Sequence, residues 1–142
     1  MKKVFVLLAI IVSLSSNAAE PNEKILKCFA TAFPKAENIS WRSDDNNCQV
    51  SFNNGKIRCK LWYDVDGNIL KTIRYYSVES LCPYIMAKLE QKHPDKKVFG
   101  ITELSSDEGI FYYIILEDNN KWYHVTADGA GNLTLANKYK KA

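Results

Sequence analysis

The chain has 142 residues, with 19 basic and 16 acidic side chains and a formal net charge of +3. Without Lys2 and Lys3, which belong to the N-terminal segment described next, 17 basic residues face 16 acidic ones, a net charge near +1. Such a balance does not indicate a nucleic-acid or anionic-membrane partner, since either would call for a one-sided basic patch. The remaining length is enough for one domain with a sizeable core.

Residues 1–18 have the three parts of a secretory signal peptide. A basic pair at the start is followed by an apolar run over residues 4–14 and then by small residues. The run is too short to span a bilayer, so we predict cleavage after Ala18 or Ala19 and no membrane anchor. We therefore expect a periplasmic or secreted protein whose single domain covers residues 19–142.

The first half of the mature chain predicts one helix followed by four short strands. Asn22 can cap a helix whose apolar stripe ends at Phe33, just before Pro34. Polar and glycine-containing turns then separate segments of alternating polarity. The four strands are predicted over residues 37–41, 49–52, 56–65 and 68–76.

The second half predicts the same order of elements. Pro83 suits the first turn of a helix, where its missing N–H costs nothing. Ile85, Met86 and Leu89 continue that helix with the apolar spacing of the first one. The strands that follow are predicted over residues 98–104, 110–117, 121–127 and 133–139.

A long internal repeat links the two halves. Residues 48–70 recur 64 residues later as residues 112–134, with hydrophobic positions falling on hydrophobic positions. We therefore predict an α+β domain of two tandem helix-plus-strands units, at about residues 21–76 and 81–140. The units are expected to share one antiparallel sheet, with both helices on one face and the second face open to water.

Four cysteines lie in the exported part, where disulfides form: Cys28, Cys48, Cys59 and Cys82. A hairpin tip at Asn53-Asn54 places Cys48 directly opposite Cys59, in a register that suits a bridge. A tip at Asn54-Gly55 makes the same two residues diagonal neighbours. The alternatives are a Cys48–Cys59 bond, with Cys28–Cys82 as its complement, or four buried free thiols.

Residues 33–41, FPKAENISW, resemble the FPxAxxVxW opening of the PepSY-like, β-lactamase-inhibitor-like periplasmic proteins of Bacteroidetes. Residues 63–67 (YDVDG) and the helix start at residues 81–83 (LCP) also fit, and the resemblance covers nearly all of the mature chain. It implies tandem helix-plus-strands repeats, a periplasmic or exported location and no established catalytic activity. Related PepSY domains bind and inhibit peptidases, and the β-lactamase inhibitory proteins bind through a concave sheet face and a hairpin tip. The second unit departs from the opening motif, with His93-Pro94 in place of Phe-Pro.

The sequence predicts neither an enzyme nor a cofactor. His93 and His124 are the two histidines, and no nucleophile elbow, H-E-x-x-H or Gly-rich phosphate loop occurs. We expect His93 to cap or pack at the end of the second helix. His124 is expected on the open sheet face, without a partner set for catalysis.

A calcium site at Asp64, Asp66 and Asn68 is a weaker alternative. Calcium loops place oxygen ligands at alternate positions and a glycine at the sixth. If Gly67 held that place, the first position would be Trp62, whose side chain cannot ligate. A hairpin turn explains the Asp-Gly pair as well.

The open face is the predicted binding site for a protein or peptide partner. Its expected aromatic and aliphatic content exceeds what a water-facing sheet requires, and such surfaces mark interfaces. A periplasmic hydrolase is the expected partner class. Alternatives are cross-strand packing alone, a homodimer of a structural envelope protein, or a calcium-responsive protein. The candidate binding residues are Arg58, Lys60, Trp62, Tyr113, Ile115, Trp122 and His124.

Overall fold

The computed structural model describes residues 20–142, so the predicted signal peptide at residues 1–18 lies outside the described residues. In chain order the elements are α1 Glu23–Ala32, β1 Glu37–Ser43, β2 Cys48–Asn54, β3 Ile57–Tyr63, β4 Ile69–Tyr76, a 3-10 turn Val78–Ser80, α2 Pro83–Lys92, β5 Lys97–Ser106, β6 Gly109–Glu117, β7 Lys121–Asp128 and β8 Leu133–Lys140. No helix in this range is both long enough and apolar enough to cross a membrane.

All eight strands form one antiparallel sheet in the order β1 to β8, so every strand pairs with its neighbours in the sequence. Six of the seven connections between consecutive strands are short, as antiparallel pairing allows, whereas the 3-10 turn and α2 lie between β4 and β5. The predicted α+β class, with one antiparallel sheet and two helices, is confirmed.

Each helix begins and ends where its sequence signals lie. The Asn22 side chain accepts a hydrogen bond of 2.9 Å from the N–H of Ile25, which satisfies one of the free donors at the start of α1. Pro83 occupies the first turn of α2, and His93 is the residue that caps its end. Each helix buries one apolar stripe against the sheet, led by Ile25 and Phe29 in α1 and by Ile85 and Leu89 in α2.

Both helices cover the same face of the sheet. Residues directly opposite each other on neighbouring strands share a face, and one such row runs from Cys59 through Arg74, Glu103 and Tyr112 to Ala127. Cys59 belongs to the core under α1, whereas Tyr112 and Ala127 belong to the core under α2. We call this side the helix-covered face and the opposite side the open face.

A buried ionic cluster joins the two cores at the middle of the helix-covered face. Glu103 on β5 is only 7% exposed. Its carboxylate accepts hydrogen bonds of 2.7 and 2.8 Å from Nη2 of Arg74 on β4, and a further one from the Tyr76 hydroxyl. Burial, and then the hydrogen bond to Glu103, raise the pKa of Tyr76. The buried charge is therefore matched by an opposite charge and by donors.

The first hairpin turns at Gly55-Lys56, so neither predicted tip is correct. Asn54 lies opposite Ile57, and Gly55 has a φ of 60° at the first central position of a two-residue loop. That is the geometry of a type II′ turn, in which glycine comes first. The Asn-Gly pair had instead indicated a type I′ turn with the glycine second.

The shifted tip also corrects the disulfide prediction. Cys48 lies opposite Tyr63, and Cys59 lies opposite Phe52. Cys48 is therefore four residues along the strand from the position that faces Cys59, roughly 13 Å, whereas a bridge needs Cα atoms within about 7 Å. All four thiols are free, those of Cys48 and Cys59 in buried residues and those of Cys28 and Cys82 in exposed ones. The alternative of four buried thiols thus fits two of the cysteines.

Candidate functional site

The open face carries all seven residues that the sequence singled out. Each of them shares a cross-strand row with residues that point away from the helices, and none is buried. They are Arg58, Lys60 and Trp62 on β3, Tyr113 and Ile115 on β6, and Trp122 and His124 on β7.

The two tryptophans do not form one patch, contrary to their grouping in the sequence analysis. Trp62 lies opposite Lys71 at one end of the strands, whereas Trp122 lies opposite Glu117 at the other end. Four strands and about eight residues separate them, roughly 30 Å along the sheet at about 4.8 Å per strand and 3.3 Å per residue. They occupy opposite corners of the open face.

A contiguous apolar patch lies between these corners, and four of its six residues are not among those predicted from the sequence. One row of the open face joins Ile73, Leu104 and Phe111, and the next joins Tyr75, Thr102 and Tyr113. Tyr113 is 50% exposed. We define the central patch by its apolar and aromatic members: Ile73, Tyr75, Leu104, Phe111, Tyr113 and Ile115.

The signal for the missed residues was present in the sequence. Lys71, Ile73 and Tyr75 share the parity of one face of β4, just as Trp62 does on β3. The predicted site residues rest on the alternation of the two repeat hairpins alone. The same alternation along β4 and β5 predicts which of their side chains share the open face, whereas their contact with β6 depends on the strand order.

Cations lie over aromatic rings at both ends of β3, at the Trp62 corner and beside the first hairpin. The Lys71 ammonium is 4.3 Å from the ring centroid of Trp62, and the Arg58 guanidinium is 5.4 Å from that of Tyr75. Both distances are within the range of cation–π attraction. The rings hold these cations at the surface while their polar ends stay accessible to water.

The second corner is more self-contained. Trp122 packs edge-on against Phe99 at 4.8 Å, and the Lys141 ammonium lies 4.4 Å from a Trp122 ring centroid. Lys141 also forms a 2.6 Å ion pair with Glu117. The aromatic surface of Trp122 is thus partly covered by the chain itself, which makes this corner a poorer docking surface than the central patch.

A cavity opens on the open face beside the first hairpin. Its volume is about 380 Å³, and the residues that line it belong to β1 to β4: Asn38, Ser51, Phe52, Asn53, Arg58, Cys59, Lys60 and Tyr75. The Phe52 and Cys59 side chains belong to the core on the helix-covered face, so the other six residues supply the side chains on the open face. Arg58 stands opposite Asn53 on one strand and Tyr75 on the other, and Lys60 stands opposite Ser51. The cavity therefore combines two cations with neutral hydrogen-bonding groups and one aromatic ring.

The histidines lie far from each other in the fold. His93 ends α2 with its Nε2 buried and without a hydrogen-bond partner. Burial, and then the nearby Lys96 and Lys92, lower the pKa of His93. His124 stands on the open face against Tyr139, with ring centroids 4.9 Å apart. Neither arrangement presents a base hydrogen-bonded to a nucleophile.

The Asp64 carboxylate holds the turn between β3 and β4 in place. It accepts three hydrogen bonds of 2.9 Å, from the N–H groups of Asp66 and Asn68 and from the Asn68 side chain. These hydrogen bonds lower the pKa of Asp64. Within residues 20–142, no three His, Cys, Asp or Glu side chains cluster as a metal site would require. Calcium binding at Asp64, Asp66 and Asn68 stays a prediction.

Known solved structures share this fold. A BLIP-like protein from Bacteroides fragilis superposes with a TM-score of 0.59 at 16% identity, over 85% of this chain and 86% of that one. A DUF2874 family protein from Bacteroides ovatus gives 0.58 at 18% identity, over 85% and 88% of the two chains. The fold is that of the BLIP-like proteins.

A third similar structure, a proposed periplasmic protein from Bacteroides eggerthii, gives a TM-score of 0.58 at 12% identity, covering 85% of this chain and 89% of that one. No protein-family profile matches the sequence, and no curated protein matches it. At these identities the similarity shows a shared fold and not a shared partner.

Proposed function

We propose that this protein is an exported, non-catalytic binding module that holds a protein or peptide partner on the open face of its sheet. The observation that carries the proposal is the central patch. A sheet face without helices over it normally presents polar residues to water. Here six apolar or aromatic side chains lie next to one another in the middle of that face, and contiguous apolar surface of this kind marks interaction sites.

The BLIP-like fold supports the same function. The similarity to the BLIP-like and DUF2874 structures extends over most of each of those chains and over most of this one. A β-lactamase-inhibitor-like protein acts by binding, so a periplasmic hydrolase is our preferred partner class. We further propose that residues 1–18 direct export to the periplasm, and that about residues 21–76 and 81–140 are tandem PepSY-like units of one domain.

A non-catalytic role agrees with the chemistry of the surface. The open face offers aromatic, aliphatic, hydroxyl, cationic and carboxylate groups, and His124 on this face packs on a tyrosine ring. Interfaces draw most of their binding energy from tyrosine, tryptophan and arginine. Arg58, Trp62, Tyr75 and Tyr113 supply these residue types around the central patch.

Capture of proteins from a periplasmic extract tests the proposal. Trp62→Ala combined with Tyr113→Ala should abolish capture by the immobilised mature chain while leaving its thermal unfolding nearly unchanged. Tyr84→Ala is the matched control, because Tyr84 is 52% exposed on α2, much like Tyr113 at 50% on the open face. Capture that the double variant retains, or that the Tyr84 variant loses equally, would contradict the proposal.

Self-association is the second candidate function, and the same patch favours it. A second copy of the chain could cover the central patch, as expected of a structural envelope protein. Sedimentation of the mature chain at micromolar concentration separates the two. A stable dimer that Tyr113→Ala dissociates would favour self-association, whereas a monomer favours a different partner.

A further inference from the structure

We propose that the cavity beside the first hairpin is a carboxylate-binding subsite, which receives a Glu or Asp side chain from an acidic segment of a partner protein. The inference rests on the proposed function and names the chemistry of the partner at that same face. It rests on Arg58 and Lys60, the two cations that line the cavity and that do not belong to the central patch.

The geometry of the cavity suits a carboxylate. Arg58 and Lys60 project from alternate positions of β3, so both point to the same side of the sheet. The Tyr75 ring lies beneath the guanidinium at 5.4 Å and limits the positions that Arg58 can take. Ser51 and Asn53 add neutral donors on the adjoining strand. A planar guanidinium with nearby donors binds a carboxylate through charge-assisted hydrogen bonds.

Neither Arg58 nor Lys60 forms an ion pair with another residue of the range 20–142. In the part of the chain that the structure describes, the ion pairs are Arg74–Glu103, Lys96–Asp95 and Lys141–Glu117. Glu37 on β1 stands opposite Asn53, yet it neither lines the cavity nor pairs with Arg58. The charge of Arg58 and Lys60 is therefore available to a ligand.

The charge extends along the open face of the first half. Across β2, β3 and β4 the open-face positions include three cations, Arg58, Lys60 and Lys71, and no Asp or Glu. The chain as a whole is nearly neutral, but positive charge is concentrated on the open face of β3 and β4. Charge complementarity of this kind selects partners of the opposite sign.

The surroundings of the cavity favour a protein as the source of the carboxylate. Tyr75 belongs both to the cavity and to the central patch, and its row continues through Thr102 to Tyr113. If an acidic side chain of the partner binds Arg58, the residues next to it in the partner contact the apolar and aromatic surface of the central patch. A segment that alternates acidic with apolar residues matches this arrangement.

The test uses the mature chain and a short fluorescent peptide in which Glu alternates with Tyr. We expect saturable binding that weakens as salt is added, and no binding of the same peptide with Gln in place of Glu. Arg58→Gln with Lys60→Gln should weaken binding at least about tenfold, because charge-assisted hydrogen bonds are lost. The control is Lys121→Gln with Lys140→Gln, which removes the same charge from two exposed lysines at opposite positions of β7 and β8. It should leave binding of the peptide within about twofold of the wild type.

Several outcomes would overturn the inference. They are no binding of the Glu peptide, equal binding of the Gln peptide, or equal weakening by both pairs of substitutions. Tighter, cavity-dependent binding of an oligothymidylate or of polygalacturonate would overturn the protein source. Single Arg58→Gln serves if the double variant unfolds, since Arg58 is exposed.

The extract experiment distinguishes this inference from the proposed function. If Trp62→Ala with Tyr113→Ala abolishes capture while Arg58→Gln with Lys60→Gln does not, the open face binds its partner without the carboxylate subsite. If neither pair affects capture, both the subsite and the proposed function are wrong.

Discussion

Glu103 is a buried carboxylate that depends on hydrogen bonds from its neighbours. It is satisfied by Arg74 and Tyr76 between the two cores. Glu103→Ala should lower the free energy of unfolding by about 2 kcal/mol, because it leaves a half-buried guanidinium and a buried hydroxyl without a partner. Urea denaturation of the mature chain measures this directly.

Glu117→Ala is the matched control for that prediction. This substitution breaks the ion pair with Lys141, but the Glu117 and Lys141 side chains are 29% and 26% exposed. Partly exposed pairs contribute less than about 1 kcal/mol. An equal loss in both variants would contradict the special role of the Glu103 cluster.

Asp118 gives the protein a predictable response to acid. The hydrogen bond from the Tyr123 hydroxyl, at 2.5 Å, and then those from backbone N–H groups lower the pKa of Asp118 to about 2 from an ordinary value of 3.8. A lowered folded-state pKa stabilises the fold above the unfolded-state value. That contribution should disappear as the pH falls from about 4 to about 2.

The measurement is the melting temperature across that pH window, for the wild type and for Asp118→Asn. The variant should show a smaller fall of melting temperature between pH 4 and pH 2, because Asn does not titrate. Parallel curves for the two proteins would show that Asp118 does not contribute to the acid response.

At the scale of elements, the turns before β4 and β8, residues 64–68 and 128–132, allow a matched comparison because each places a glycine just before its final Asn. Gly67 and Gly131 both have a φ above 80°, where any side chain strains the backbone. A Cβ at Gly67 would meet only ordinary contacts, whereas at Gly131 it would lie 2.8 Å from Cε1 of Tyr84. Gly67→Ala should cost about 1 kcal/mol of stability and Gly131→Ala about 2 kcal/mol, as measured by urea denaturation.

Tyr84→Ala should relieve part of the cost at Gly131, since it removes the atom that the new Cβ would meet. The double variant therefore tests the contact rather than the turn. If Gly131→Ala costs the same with and without Tyr84, the Tyr84 contact does not contribute, and backbone strain and the 3.3 Å contact with Lys88 Cγ account for the loss.

The register of the hairpin formed by β2 and β3 could not be predicted from the sequence. The alternation of β2 and β3 correctly gave the faces, because Cys48, Val50 and Phe52 are all buried. The register depended on which glycine conformation the turn adopts, and residues 53–55 (Asn-Asn-Gly) are compatible with several. The position of Gly55 at the first turn residue decided it.

For the whole molecule, the helix and strand pattern was predictable because both helices and the paired strands of each hairpin follow a clear apolar period. The central patch was harder, because it depends on which strands become neighbours across β4 and β5. That pairing joins the two halves and lies outside the internal repeat. The separation of Trp62 from Trp122 is a consequence of the same strand order, which no local pattern reveals.

Surface labelling of tyrosines tests the central claim most directly. Tyr113 and Tyr84 are about equally exposed, on the open face and on α2 respectively. Mild iodination of the mature chain, alone and bound to its captured partner, followed by mass spectrometry, compares the two rings. We predict that partner binding protects Tyr113 and leaves Tyr84 reactive. Protection of Tyr84 with continued labelling of Tyr113 would contradict the assignment of the open face as the binding surface.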